Sequence, residues 1–594
     1  MTKKESATKS LVAERKRPLG WMLVISFYGV ILAALFFWCL SFDSDRLRGQ
    51  LVSIIPWFLE VNFLLIVIGI ALSFGAVRSL LGEISSKKWC LVSTTVMLAM
   101  VMAAFVAPRT HRIFYDENIY LNIGQTMAVQ KKAAMCAEGY NRYGEYHCGQ
   151  LEHNKQPYAF PHLISMVYRV FGPSETAGFV FNNVAFGLSI VTVFLIGFLL
   201  FDSFSVGVYS ALIYGLIPEN IIWANTTAVE PSTAFFAGLV IVAGLIYLKE
   251  RGAKTLFLLS VLLPYSVQFR SESILIALIV GLMILLYDKE TLRDKKTHLL
   301  LALSFALVIP HIVQLYAVRG ESWGSSGPRM SVAYFLQNFR VNSLFYFKNA
   351  SFPILYTLLF GAGLFSKGKV RERLVLITWF LTFWGIFLFF YAGSFEFGQD
   401  VRFSLVSYMP LSLLAGLGLF KLERLLEPKG LGRPAQVILI AAVCLSFTGF
   451  LPFVRTVGEE ACQARADHRY AREMAELLPE DSMVLTHNPN MFLLWGKSAA
   501  QASIATHNEP LMDHFFQRYT GGVFFHYNYW CNTDDPREQA FCRNILDNYD
   551  HTALAEYTER GYTFVLYRLI GRLPFPEHHG GESEETKESE ATTL

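Results

Sequence analysis

The chain has 594 residues and a formal net charge of +3, with 53% hydrophobic and only 17% charged residues, where soluble domains average about a quarter charged. Its mean hydropathy is +0.36. Together these exclude an ordinary soluble enzyme, and the short, scattered Lys/Arg clusters exclude the continuous basic stripe that tracks nucleic acid. The bilayer is therefore the first expected partner, and the 50 Phe and 27 Tyr suit a large lipid-facing surface with interfacial aromatics.

In chain order, the polar arm 1–19 is followed by about thirteen apolar runs: 20–41, 54–77, 89–107, 177–200, 204–223, 232–248, 255–269, 272–287, 298–318, 350–366, 373–392, 402–420 and 435–453. The first is too long for a signal-peptide core and no small-residue cleavage site follows it, so it reads as a retained span. Lys and Arg concentrate in the arm, Arg78–Lys88, Lys249–Lys254, Lys289–Lys296, Lys367–Arg373 and Lys421–Arg433. These alternate with 42–53, 108–176, 224–231, the neighbourhood of 270, 319–349 and 393–401; only 201–203, with Asp202 alone, breaks the pattern weakly. The positive-inside rule then puts the amino terminus in the cytoplasm and everything after Phe453 outside the cell membrane.

Three outer regions are large. Residues 108–176 carry helical pattern at Asn118–Lys132 and Phe160–Phe171, and 319–349 form the second. In the third, 454–575, Arg469–Leu478 and Asn490–Trp495 read as helices and Ser482–Thr486, Thr520–Tyr529 and Thr563–Leu569 as strands, a small α/β domain. Residues 576–594 are acidic and nearly free of aromatics, the composition of a disordered tail. Cys136 with Cys148, and Cys531 with Cys542, lie outside and can close as disulfides in an oxidising compartment, free thiols being the alternative. Cys39, Cys90 and Cys444 fall in spans, and Cys462 is left over. No Cys or His spacing resembles a zinc site, and no cofactor is expected.

Ionisable residues gather at the outer ends of the spans. Tyr115-Asp116-Glu117-x-x-Tyr120 sets two carboxylates just past the run ending at Val106; Asp116 is either a helix N-cap or a base raised toward neutrality by burial. Lys155-Gln156-Pro157 opens a new apolar helix, where Lys155 either snorkels or meets a phosphate. Glu230, before Pro231, suits the first turn of a helix through its macrodipole. Arg270 and Glu272, and likewise Asp400 and Arg402, are internal ion pairs or phosphate contacts. Arg319, Arg329 and Arg340 add positive charge to the outer loop between them. Carboxylates and cations on one face suit transfer from a lipid-linked phosphosugar, with cations stabilising the departing phosphate. A transporter would instead show repeated halves and interrupted mid-membrane helices, and no convincing repeat is visible. A ligase or polymerase of whole lipid-linked glycans would differ only in its donor.

At these motifs, extended by Asp400-x-Arg402-Phe-x-x-x-x-Tyr408-Met-Pro410-Leu-x-x-Leu-Leu-Ala-Gly, residues 20–453 resemble the GT-C glycosyltransferase superfamily, nearest its protein O-mannosyltransferase and lipid A aminoarabinose transferase branches. The resemblance implies an all-α polytopic membrane catalytic domain and an inverting, metal-independent transfer from a polyprenyl-phosphate sugar to a lipid, glycan or protein acceptor. By the same resemblance Asp116 is the catalytic base or acceptor contact and Glu117 its catalytic neighbour. Lys155, Arg270 and Arg402 contact the donor phosphate, while Tyr120, Glu230 and Asp400 line the acceptor pocket. This chain departs from the family pattern in reading Lys155-Gln156-Pro157 for Lys-Pro-Pro and in carrying Glu230 where relatives commonly have Asp. Its C-terminal domain is not the β-trefoil of eukaryotic members.

Overall fold

The computed structural model describes residues 17–113, 115–142, 144–321, 327–348, 351–396, 400–429, 432–459 and 462–573. The arm before residue 17, the acidic tail 576–594, Gln399 and the Cys462 side chain, all singled out by the sequence, lie outside what is described. The protein is a polytopic helical bundle carrying a small α/β domain at its C-terminal end.

Among the described residues, eight helices are long and apolar enough to cross a membrane: Ser44–Gly82, Ser86–Val106, Glu175–Phe201, Glu230–Glu250, Lys295–Ala317, Val370–Phe389, Asp400–Leu426 and Gly432–Val457. The run 204–223 is a helix pair, Phe204–Gly215 and Pro218–Ala224, bent by 64°. Pro218 causes the break: it has no N–H to continue the first helix and favours the opening turn of the second. Shorter apolar helices occupy Ser26–Leu40, Ala253–Val267, Ser271–Tyr287 and Ile354–Leu364, so each apolar run of the sequence is helical.

The helix Ser44–Gly82 has 39 residues. At 1.5 Å per residue it is nearly twice as long as the ~30 Å hydrocarbon layer. The segment 42–53, expected as a loop, is therefore helix from Ser44 onward. Asp43 caps it by accepting the Arg46 N–H at 2.7 Å, and its buried Leu47, Leu51 and Val52 seat the first outer region. Ala133 N–H donates to the Val52 carbonyl there at 2.8 Å, and Glu60 receives Lys131 at 2.8 Å and Arg169 at 2.7 Å.

The helix Leu405–Leu426 runs through the middle of the bundle, with Leu405 to Leu419 continuously buried. Its Leu-Leu-Ala-Gly-Leu-Gly stretch serves close approach. A Cβ on Gly418 would stand 2.1 Å from the Leu359 carbonyl oxygen, and one on Gly363 would stand 1.9 Å from that of Leu414. Small residues let the backbones of neighbouring spans touch where lipid gives no hydrophobic drive.

One seven-stranded mixed sheet organises the part beyond the helical bundle, in the order β2-β1-β4-β3-β5-β7-β6. Its strands are β1 (Met135–Arg142), β2 (Glu145–Glu152), β3 (Ser482–Thr486), β4 (Ser498–Gln501), β5 (Gly522–Tyr527), β6 (Tyr549–Glu559) and β7 (Tyr562–Arg572). β3 pairs in parallel with β4 and β5, and β7 runs antiparallel to β5 and β6. β1 and β2, a hairpin from the first outer loop, extend this sheet through Glu138 opposite Ala500 and Gly139 opposite Ala499. The domain drawn at 454–575 is thus completed by eighteen-odd residues from 135–152, joined to a helix rather than a loop at residue 454. Cys136 and Cys148 are disulfide-bonded across the hairpin, and Cys531 is bonded to Cys542. Cys136, Tyr146 and Cys148 share one core with Ala471, Met474 and Phe492 of the C-terminal segment.

Candidate active site

The Asp-Glu motif opens the helix Asp116–Gln130. Asp116 is its first helical residue and Tyr115 its N-cap, so Asp116 does not cap the helix. Tyr115 stands at φ 64°, left-handed backbone that a large side chain adopts only when its surroundings hold it. What holds it is visible on both sides. The Tyr115 hydroxyl donates to Asp467 at 3.0 Å, and the next carboxylate but one is fixed from every direction.

That carboxylate is Glu117, fully buried. Its Oε1 accepts the backbone N–H groups of Arg112 at 2.7 Å and Ile113 at 3.0 Å. Its Oε2 accepts the Thr227 N–H at 2.7 Å and the Thr227 hydroxyl at 2.9 Å, and lies 3.0 Å from His111 Nδ1. Burial alone would raise this carboxyl, but His111 and the two backbone donors outweigh it and the pKa falls below the usual range. Glu117, expected beside Asp116 as a second catalytic carboxylate, is thus held on both oxygens by the protein itself.

Asp116 behaves oppositely. Among the described residues it accepts no hydrogen bond, and part of its surface stays accessible. Burial raises its carboxyl pKa; Arg402, Lys155 and Arg270 pull it down and Glu230 pushes it up, with a net rise.

Behind it lies a charge cluster. Glu230 heads the helix Glu230–Glu250 and is 3% exposed. Its Oε1 accepts from Arg270 Nη1 and, at 3.0 Å, from Arg402 Nε. Arg270 Nε donates to Glu272, and Arg402 Nη1 lies 3.6 Å from Asp400. Both guanidiniums stack on Phe403, at 4.9 and 4.8 Å from its ring centre. Glu230, expected in the acceptor pocket, sets the two arginines side by side through Oε1, while its Oε2 has no hydrogen-bond partner among the described residues. Tyr120 is buried beside this group, with Asp116 and Glu230 both raising its hydroxyl after burial itself. Asp400 is buried on the far side of Arg402.

Lys155 stands in a turn built by Asn154, whose Oδ1 accepts the Gln156 N–H at 2.7 Å. The Tyr158 hydroxyl donates to the Asn154 carbonyl at 2.9 Å, and Ala159 N–H donates to Gln268 O at 3.0 Å, next to Arg270. Thus Asp116, Tyr120, Lys155, Glu230, Arg270, Asp400 and Arg402 come to one place. Arg319 stacks on Tyr316 at 3.8 Å and Arg329 donates to the Arg319 carbonyl at 3.0 Å.

The segment Asn225–Glu230 is held by amides. Asn182 Nδ2 donates to the Thr226 and Ala228 carbonyls at 2.9 and 2.7 Å, and Asn183 Nδ2 to the Ala224 carbonyl at 2.6 Å. Thr227, not singled out from the sequence, lies three residues before Glu230 in the loop 224–231. Asp467 carries no such signal, being 352 residues from Tyr115.

Residues 155–313 match the family model of the dolichyl-phosphate-mannose-protein mannosyltransferases. No curated protein sequence matches the chain significantly. Among solved structures, apo ArnT from Cupriavidus metallidurans is 15% identical and superposes with a TM-score of 0.50, over 81% of this chain and 98% of that one. The fold is of the GT-C type. ArnT bound to undecaprenyl phosphate gives a TM-score of 0.49 at the same identity and coverage. The oligosaccharyltransferase AglB from Archaeoglobus fulgidus, in complex with an inhibitory peptide and a dolichol-phosphate, gives 0.48 at 12% identity, over 83% and 76%. The superposition on apo ArnT extends the GT-C resemblance read from the motifs to the fold, and Lys155 and Arg270 fall inside the stretch matched by the family model.

Proposed function

We propose that the protein is a membrane glycosyltransferase that moves a sugar from a polyprenyl-phosphate donor to an extracytoplasmic lipid, glycan or protein acceptor, with inversion. Asp116 carries this reading: it is a partly accessible carboxylate of raised pKa that accepts no hydrogen bond among the described residues, faced by Lys155, Arg270 and Arg402. The acceptor hydroxyl gives its proton to Asp116 as its oxygen bonds to the anomeric carbon. The bond from that carbon to the donor phosphate oxygen breaks on the opposite face, and polyprenyl phosphate leaves with the electron pair. Fixed cations beside the phosphate stabilise that charge more in the transition state than in the donor. Two guanidiniums already aligned by Glu230 and Phe403 need little reorganisation to do so.

The proposed orientation has the amino terminus in the cytoplasm and the sheet domain outside the cell membrane. The alternation of Lys/Arg-rich loops supports it, as do the disulfides on the sheet side. The test is sugar transfer by the purified protein in lipid, with a panel of polyprenyl-phosphate monosaccharides and an envelope extract as acceptor. Asp116→Asn is expected to lose about 10²–10⁴-fold in rate while donor binding survives. Full transfer by Asp116→Asn would overturn the assignment.

A further inference from the structure

Outside the reacting cluster, three side chains from distant parts of the chain converge where the sheet domain meets the bundle. His111 precedes the Asp-Glu motif, Glu175 heads the helix Glu175–Phe201, and His468 lies on the helix Cys462–Leu477. Their ligand atoms all lie within 4.8 Å of one another. His468 Nε2 is 2.5 Å and His111 Nε2 is 3.7 Å from the same oxygen, Glu175 Oε1. The two imidazole centres are 4.5 Å apart.

The second observation concerns His111. It is 3% exposed, and its Nε2 has no hydrogen-bond partner. Its Nδ1 lies 3.0 Å from Glu117 Oε2 and 3.1 Å from the Thr227 hydroxyl. A proton on Nδ1, donated to Glu117, leaves the Nε2 lone pair aimed at Glu175 and His468. A carboxylate behind a histidine in this way fixes the tautomer and increases the basicity of a metal-ligating imidazole.

We propose that His111, Glu175 and His468 bind a zinc-class divalent cation that ties the sheet domain to the loop bearing Asp116. Two imidazoles and one carboxylate leave a fourth tetrahedral position for water. Ligand bonds of about 2.0–2.2 Å require the donors to stand roughly 3.3 Å apart, between the 2.5 and 3.7 Å now separating Glu175 Oε1 from the two imidazoles. The two imidazole nitrogens lie within 4.8 Å of each other, and side-chain rotation brings them to that separation. Arg472 Nη1 lies 3.5 Å from the other oxygen, Glu175 Oε2, and leaves Oε1 to the cation. The cation compensates Glu117 and Glu175 together. No step of the proposed sugar transfer passes through it, so its role is positional. A second grouping, His487 with Cys531 and Cys542, offers no thiolate because the two sulfurs are bonded to each other.

The experiment uses the full-length protein in detergent, tag removed, stripped with a chelator and reloaded with zinc or cobalt(II). Elemental analysis is expected to find a single equivalent of zinc, and cobalt to give the intense visible bands of a tetrahedral site. His468→Gln and Glu175→Gln are expected to abolish both. His468→Cys, which keeps a ligand, is expected to retain cobalt and add a thiolate charge-transfer band, separating a lost ligand from a lost fold. Absence of stoichiometric metal in the folded wild type overturns the site, as does cobalt binding that His468→Cys leaves spectrally unchanged. Transfer activity plays no part in either readout.

Discussion

Tyr115 and Asp467 are joined by a 3.0 Å hydrogen bond that spans 352 residues of chain and fastens the Asp-Glu loop to the sheet domain. Asp467 is fully buried, and burial pushes its carboxyl up to about 7, against the opposing pull of the Tyr529 N–H and the Tyr115 hydroxyl. His526 Nε2 is 3.9 Å away, but burial pushes that histidine down to about 3, so it is neutral. An unfolded Asp467 ionises near pH 4. Between about pH 4 and pH 7 the folded chain holds a proton that the unfolded chain has lost, so stability falls as pH rises through that window and then levels. Asp467→Asn is expected to remove this slope from the thermal unfolding profile. Tyr115→Phe removes a donor, carries the fall to higher pH and costs about 1–3 kcal/mol at neutral pH. A wild-type profile indistinguishable from Asp467→Asn would show the coupling to be absent.

The acid limb of sugar transfer tests Asp116. Its pKa lies above the ordinary 3.8 through burial, with Arg402 and Lys155 holding it back. As a base it works only when ionised, so turnover falls as pH drops through that raised value. Lys155→Met removes one restraining cation, and the midpoint of the limb is expected to move to higher pH on top of weaker donor binding. An unmoved limb, measured as kcat against pH at saturating donor, would place the titrating group elsewhere.

The parts legible in the sequence were those with a local physical signature. Apolar length gave the apolar helices, including the short pair on either side of Arg270, and short strand-forming runs gave β3, β5 and β7. The β1–β2 hairpin was not read because Met135–Glu152 mixes Gly, Tyr, Asn, Glu and His with no apolar face of its own; it becomes a strand pair by joining β4. Its only local cue was Gly144, at φ 80°, between aromatic-rich segments of like length. At the site, the charged residue types beside the helix ends drew attention to Asp116, Lys155, Arg270 and Arg402. Their division of labour was not legible. Glu117 is a clamp and Glu230 a pivot because of Thr227, His111 and Arg402, which no spacing announces.

Gly418 offers a test of the bundle in which the sign of the effect is diagnostic. Replacing a helical glycine by alanine ordinarily stabilises a helix by about 1 kcal/mol. At Gly418 the added Cβ meets the Leu359 carbonyl oxygen at 2.1 Å, whereas at Gly361, on the facing helix Ile354–Leu364, nothing lies within 4 Å. Gly418→Ala is expected to lose the monodisperse detergent-solubilised protein on size exclusion, and Gly361→Ala to match or exceed wild type in melting temperature. Equal tolerance at both positions would mean that the two helices do not touch there.

Glu117 and Asp116 are adjacent carboxylates whose amide substitutions should separate cleanly. Glu117→Gln keeps one carbonyl oxygen for the Arg112 and Ile113 N–H groups or for Thr227, but turns a donor toward the other set. A buried donor facing a donor leaves two groups unsatisfied, a loss of about 3 kcal/mol or more. Asp116→Asn breaks no protein hydrogen bond found among the described residues and relieves the burial of a charge, so its stability should equal or exceed that of wild type. Thermal unfolding in one detergent, with transfer rates on the same samples, reads both at once. The expected result is a destabilised Glu117→Gln whose remaining folded fraction still transfers sugar, beside a stable Asp116→Asn that does not. Reversal of that pairing would exchange the roles assigned to the two residues.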